Sequence, residues 1–92
     1  MAAFAALIEF TEDNDLRLQT RPVHREYLRS LFDEGKIRIS GPWGDDTGAM
    51  IVYEVESADE AQALLDADPY TNAGVIANAR IRPWTIVLQA GS

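Results

Sequence analysis

Apolar and polar positions alternate at the start of the chain. Phe4, Ala6, Ile8 and Phe10 fall on one side of an extended segment, and Ala5, Leu7 and Glu9 on the other. A period of two predicts a strand over residues 3–10, and the apolar character of both sides predicts cover on both. Residues 11–19 are polar and acidic and read as a loop. The period then changes: Val23, Tyr27, Leu28, Leu31 and Phe32 recur at helical spacing. Thr20 is the expected N-cap of this helix, with Pro22 in its first turn. The helix is expected to run to about Glu34 and to close on Gly35, which accepts a left-handed backbone without steric cost.

Residues 36–40 alternate again, with Ile37 and Ile39 expected inward, and Gly41-Pro42 ends the run. The turn cluster Gly44-Asp45-Asp46-Thr47-Gly48 predicts a hairpin into a strand over residues 49–55 that is apolar on both faces. Ser57 followed by Glu60 has the spacing of a capping box, and Ala58, Ala61, Leu64 and Leu65 give a second helix its buried stripe. Asp68-Pro69 stops that helix, because the residue before proline is pushed out of the α region. A short irregular or helical turn over residues 70–74 leads to a last strand, 76–84, expected to break or bend at Pro83. Residues 85–88 extend it or form a short extra strand.

The order β-α-β-β-α-β with right-handed crossovers predicts an α+β, ferredoxin-like fold: a four-stranded antiparallel sheet with both helices on one face. A chain of 92 residues suits one domain over 1–92, with its core at about 3–88. The other sheet face is bare, yet its strands are apolar. The economical cover is a homodimer through that open face.

Charge and composition narrow the chemistry. The net charge of −7 argues against a nucleic-acid partner, since phosphate binding needs clustered Lys and Arg. Arg17, Arg21, Arg25 and Arg29 stand four apart, which reads as a solvated helix face with partners such as Glu26 and Asp33. Arg21 alone is placed either to meet an anion through its fork of donors or to make a surface salt bridge. No cysteine and a single histidine exclude thiol chemistry, disulfides and a His-rich metal centre within one chain, so no metal is expected. Asp45 and Asp46 read as a solvated turn. No Gly-rich phosphate cradle appears, and no cofactor is expected. No segment is long and apolar enough for a membrane span, and the apolar opening lacks a basic flank, so a cytoplasmic protein is expected.

His24 shares a helix face with Tyr27, Leu28 and Leu31 and is expected in the first turn, its ring toward the sheet. An imidazole there serves either general acid–base chemistry or a structural hydrogen bond. Asp68 is either its carboxylate partner or a turn cap before Pro69. Ser40 and Tyr70 can donate into a pocket, and Gly41 and Pro42 shape a strand end. Trp43 and Trp84 suit packing in the core or at a dimer contact, or the lining of an aromatic-accepting pocket.

Arg21-x-x-His24-x-x-Tyr27-Leu28, Gly35-Lys36, Ser40-Gly41-Pro42, Ala67-Asp68-Pro69-Tyr70 and Ile81-Arg82-Pro83-Trp84 form an ordered set. The set resembles the YciI-like (YCII) family of the dimeric α+β barrel superfamily. The resemblance runs from about residue 3 to residue 84; the acidic loop 11–15 and the tail 89–92 depart from it. It implies a dimeric barrel and a pocket whose catalytic His and Asp map to His24 and Asp68, with Arg21, Ser40, Gly41, Pro42 and Tyr70 as substrate-binding candidates. It also implies cofactor-free acid–base chemistry of an isomerase, lactone or elimination type, on a small organic acid or aromatic breakdown product. A non-catalytic, small-ligand-binding dimer fits the same residues.

Overall fold

The computed structural model describes residues 1–91; Ser92, the end of the divergent tail, lies outside the described residues. The elements are β1 (Ala2–Phe10), α1 (Asn14–Asp33), β2 (Ile37–Pro42), β3 (Gly48–Val55), α2 (Ala58–Asp66), α3 (Pro69–Asn72) and β4 (Ile76–Trp84). The strands form one antiparallel sheet in the order β2-β3-β1-β4, the ferredoxin-like arrangement expected from the sequence. Phe4, Ala6 and Ile8 of β1 pair with Tyr53, Ile51 and Ala49 of β3, so all point to the helix side. With Leu31, Ile37, Val55, Ala61 and Leu65 they build the core.

Helix α1 begins well before Thr20. Asp13 is the true N-cap, accepting the Leu16 N–H at 3.1 Å. The first turns hid because they carry little apolar signal. At 3.6 residues per turn, the buried stripe is centred on His24 and Leu31, with Leu16, Thr20, Tyr27 and Leu28 beside it. Val23 and Phe32 sit about 90° to either side of that centre. They are accordingly exposed, at 56% and 51%. Pro22 lies inside the helix on its exposed side and does not end it. His24 is therefore a mid-helix residue, not a first-turn one. The C-terminus matches expectation: Gly35 has φ +80, and the Lys36 N–H reaches back to the Leu31 carbonyl at 2.9 Å, a Schellman closure.

Three other expectations change. A register shift between Ile37 and Ile39 turns only Ile37 inward, and Ile39, opposite Val52, reaches the open face at 63% exposure. Gly41 and Pro42 continue β2, paired with Met50 and Ala49. β4 runs through Pro83 unbroken, because it is an edge strand and a proline there removes no ladder bond. Residues 85–89 then form no strand. Trp43 and Trp84 are both partly exposed, outside the core. Among the described residues, no helix is long and apolar enough to cross a membrane.

Candidate functional site

The second and third helices meet at Asp68, whose extended backbone caps α3. Its Oδ1 accepts the Tyr70 N–H at 2.8 Å and lies 2.7 Å from His24 Nδ1. Both readings of Asp68 are thus realised by one oxygen. Asp68 is fully buried and His24 is 8% exposed. An ionised carboxylate only accepts, so the ring donates from Nδ1, and in the neutral ring the lone pair is then on Nε2. Tyr70 stacks on the other side of the dyad, its ring 3.7 Å from the imidazole and within 7° of parallel. Phe10 meets Tyr70 edge-on at 5.5 Å. His24 is fixed in rotation by the hydrogen bond and in tilt by the stack.

Beside it opens a cavity of about 230 Å³ between α1 and the β2–β3 hairpin. Helix α1 lends Arg21, His24, Arg25 and Leu28 to its wall; Ser40, Gly41, Pro42 and Asp46 come from β2 and the turn. Phe10, Ala49 and Ile51 supply the apolar floor. The volume is below the ~300–1,000 Å³ of sites for drug-sized ligands, so the fit is to a small molecule. A larger groove of about 490 Å³, where the segment after β4 passes the start of β1, is remote from His24.

Six of the seven residues singled out from the sequence gather here: His24, with Asp68 behind it, and Arg21, Ser40, Gly41 and Pro42 in the wall. Tyr70 does not line the cavity; it is 4% exposed and supports the imidazole from behind. Sequence reasoning missed Phe10, Arg25, Leu28, Asp46, Ala49 and Ile51. Arg25 and Leu28 were findable, since they stand four residues beyond Arg21 and His24 on the same side of α1.

The four arginines of the ladder do not form one solvated face. Steps of four advance about 40° around a helix, so the ladder spirals from core to solvent. Arg29 pairs with Asp33 in the open, as expected, at 3.3 Å. Arg17, at the other end, is 5% exposed and lies 2.9 Å from Asp46 Oδ2. Asp46 is thus tied to the helix, although its side chain in the turn stays 45% exposed. Asp45 is the solvated turn residue expected: it accepts from the Thr47 hydroxyl and N–H, and these bonds hold its carboxyl below the ordinary range.

Beneath the dyad lies a cluster of tyrosines. Tyr27 donates to the Leu64 carbonyl at 2.7 Å, while the Tyr53 hydroxyl and Asp68 Oδ2 are buried without a hydrogen-bond partner. Burial, reinforced by the Asp68 charge, raises the pKa of both Tyr27 and Tyr53. No group of acidic or histidine side chains among the described residues is arranged to hold a metal ion.

Comparison with known proteins places this chain among relatives. The profile of the YCII-related domain matches residues 2–85. Protein YciI of Escherichia coli is 38% identical over 78 residues, covering 74% of this chain and 80% of that protein. The uncharacterised protein YjpA of Bacillus subtilis is 33% identical over 63 residues, covering 68% and 73%. Among solved structures, 5-chloro-2-hydroxyhydroquinone dehydrochlorinase (TftG) of Burkholderia phenoliruptrix, in complex with 2,5-dihydroxybenzoquinone, superposes with a TM-score of 0.79. It is 28% identical, with 90% of this chain and 93% of that one covered.

Proposed function

This chain belongs to the YCII-related family, and from that membership and the cavity beside His24 we propose a small-molecule enzyme that works by proton transfer without a cofactor. The observation that carries the reading is the 2.7 Å contact of His24 with Asp68, next to a cavity that His24 itself lines. Nε2 is the base. It accepts a proton from an acidic C–H or O–H of the ligand, and the ring's new positive charge faces the Asp68 carboxylate. The proton then returns to another carbon or oxygen of the ligand, giving isomerisation or lactone chemistry. Alternatively, the electron pair released expels a leaving group, giving elimination.

The ligand class is a small organic acid or an aromatic breakdown product. Arg21 and Arg25 at the wall supply positive charge, and Phe10, Leu28 and Ile51 supply an apolar body contact. Ser40 is the hydroxyl donor, and Gly41 and Pro42 shape the wall. The likeness to a dehydrochlorinase supports elimination as the first reaction to try.

The working unit in this reading is a cytoplasmic homodimer joined through the open sheet face, where Leu7, Ile39 and Trp84 are exposed. The alternative, a dimer that binds a small ligand without changing it, is favoured by the same charged, apolar-floored cavity. One experiment separates the two. The protein is incubated with 5-chloro-2-hydroxyhydroquinone and chloride release is followed, in the native chain and in His24→Ala. Enzymatic release that falls by about 10²–10⁴ in a folded His24→Ala protein is expected. Release unaffected by the substitution contradicts the proposed base, and a ligand bound but recovered unchanged selects the alternative.

A further inference from the structure

Asp46 meets two arginines, and the two contacts are unlike. Arg17 is committed to it. Its Nη1 lies 2.9 Å from Asp46 Oδ2 with 6% of the side chain exposed, its Nη2 lies 3.4 Å from Asn14 Oδ1, and its guanidinium sits 5.2 Å over the Phe10 ring. Arg17 borders a neighbouring groove and not the His24 cavity. Arg21 is different. Its Nη2 is 3.6 Å from the same oxygen, its side chain is 29% exposed, and it lines the His24 cavity. That separation exceeds the roughly 2.7–2.9 Å of a charge-assisted hydrogen bond. A long, partly solvated pair of this kind contributes little and is easily exchanged.

Asp46 does not depend on Arg21 for its position. Arg17 holds its carboxylate, and its backbone is fixed in the left-handed region at φ 62, with its N–H bonded to the Trp43 carbonyl at 2.9 Å. Aspartate tolerates that conformation better than most residues. A carboxylate is thus anchored at the cavity wall, beside a guanidinium free to leave it.

We propose that Asp46 is a resident counter-ion for Arg21 that sets the cavity's specificity toward singly charged organic anions. The ligand's carboxylate or enolate takes the place of Asp46 on Arg21, while Arg17 keeps Asp46 in the turn. Two arginines and one carboxylate border the cavity, with Arg17 paired to the carboxylate from outside it, so the wall itself carries one net positive charge. A second negative charge on the ligand comes up against the Asp46 carboxylate, which Arg17 offsets only from outside the cavity. This inference rests on the cavity being the ligand site of the proposed function, but not on catalysis.

The test uses three ring-sized probes: benzoate as a monoanion, benzamide as its neutral counterpart and phthalate as a dianion. Calorimetric titration of the native protein is expected to rank benzoate above both others. In Asp46→Asn, phthalate is expected to gain about tenfold relative to benzoate, since a like charge near the ligand has been removed. In Arg21→Gln, the advantage of benzoate over benzamide is expected to vanish. An unchanged benzoate-to-phthalate ratio in folded Asp46→Asn overturns the proposal, as does the absence of saturable benzoate binding to the native chain. Should Asp46→Asn fail to fold, the arginine Nε–H signals of the native protein decide. Benzoate is expected to shift Arg21 and leave Arg17 in place, and the reverse pattern overturns the proposal. His24→Ala is expected to keep this charge selectivity, and a native protein that shows the selectivity without any turnover counts against catalysis alone. Turnover without charge selectivity counts against Asp46 alone.

Discussion

His24 Nδ1 lies 2.7 Å from Asp68 Oδ1, although 44 positions separate the two residues in the chain. The contact exists because α1 crosses the sheet beside the α2–α3 junction, where Pro69 stops one helix and Asp68 caps the next. The same oxygen holds the Tyr70 N–H, so the backbone that orients the carboxylate also places the ring that stacks on His24.

Asp68 therefore has a structural share that the choice of substitution separates. Asp68→Ala removes the α3 cap and leaves the imidazole donor buried without its acceptor. A loss of about 1–3 kcal/mol in urea unfolding is expected. Asp68→Asn keeps an acceptor for the Tyr70 N–H and should cost less. Equal losses would show that the cap contributes nothing.

Tyr53 gives the opposite expectation. Its hydroxyl is fully buried and unpartnered in the core. Removing an unsatisfied buried polar group relieves a desolvation cost, so Tyr53→Phe is expected to be neutral or to stabilise by up to about 1–3 kcal/mol. A clear fall in the urea midpoint would contradict this.

Alkaline pH should unfold the protein through its tyrosines. The pKa of Tyr27 and of Tyr53 is raised in the fold, chiefly by burial and then by the Asp68 charge. A raised pKa means that the stability it contributes is fully present below the unfolded value of about 10. That contribution is lost as pH rises above it, because the unfolded chain ionises first. Tyrosinate absorbance is expected to show these two of the three tyrosines ionising late or together with unfolding. Ionisation of all three near pH 10 with the fold intact would refute it.

The open sheet face supplies a test of assembly. Ala3, Ala5 and Leu7 of β1 pair with Trp84, Arg82 and Arg80 of β4 on that side. Leu7 is 38% exposed and Trp84 45% exposed there. Leu7→Glu is expected to convert a sedimenting dimer to a monomer while leaving the circular dichroism unchanged. A native chain that sediments as a monomer would remove the proposed interface.

Much of this was readable from residue order. The strand periods, the Ser57 cap, the Gly35 closure and the hairpin turn each carry a local signal, and together they fix the ferredoxin-like order. The start of α1 is not legible, because residues 14–22 turn only Leu16, Arg17, Thr20 and Arg21 inward, and one apolar side chain among four does not mark a stripe. Ile39 was assigned to the wrong face because a one-residue register shift leaves no mark in the alternation. In the site, His24 and Asp68 were named through the family resemblance, but their contact depends on how α1 packs. The burial of Arg17 leaves no mark in the sequence, because a spacing of four looks like one face over two turns and is not one face over four.

The central claim, that His24 presents an unprotonated Nε2 to the cavity because Asp68 holds the proton on Nδ1, is open to one direct measurement. The chain has a single histidine, so a long-range proton–nitrogen spectrum of the neutral ring needs no assignment between residues. A pyrrole-type Nδ1 and a pyridine-type Nε2 are predicted, with the preference weakened in Asp68→Asn. A ring protonated on Nε2 in the native protein would contradict the account, because the nitrogen available to a ligand would then be a donor and not a base.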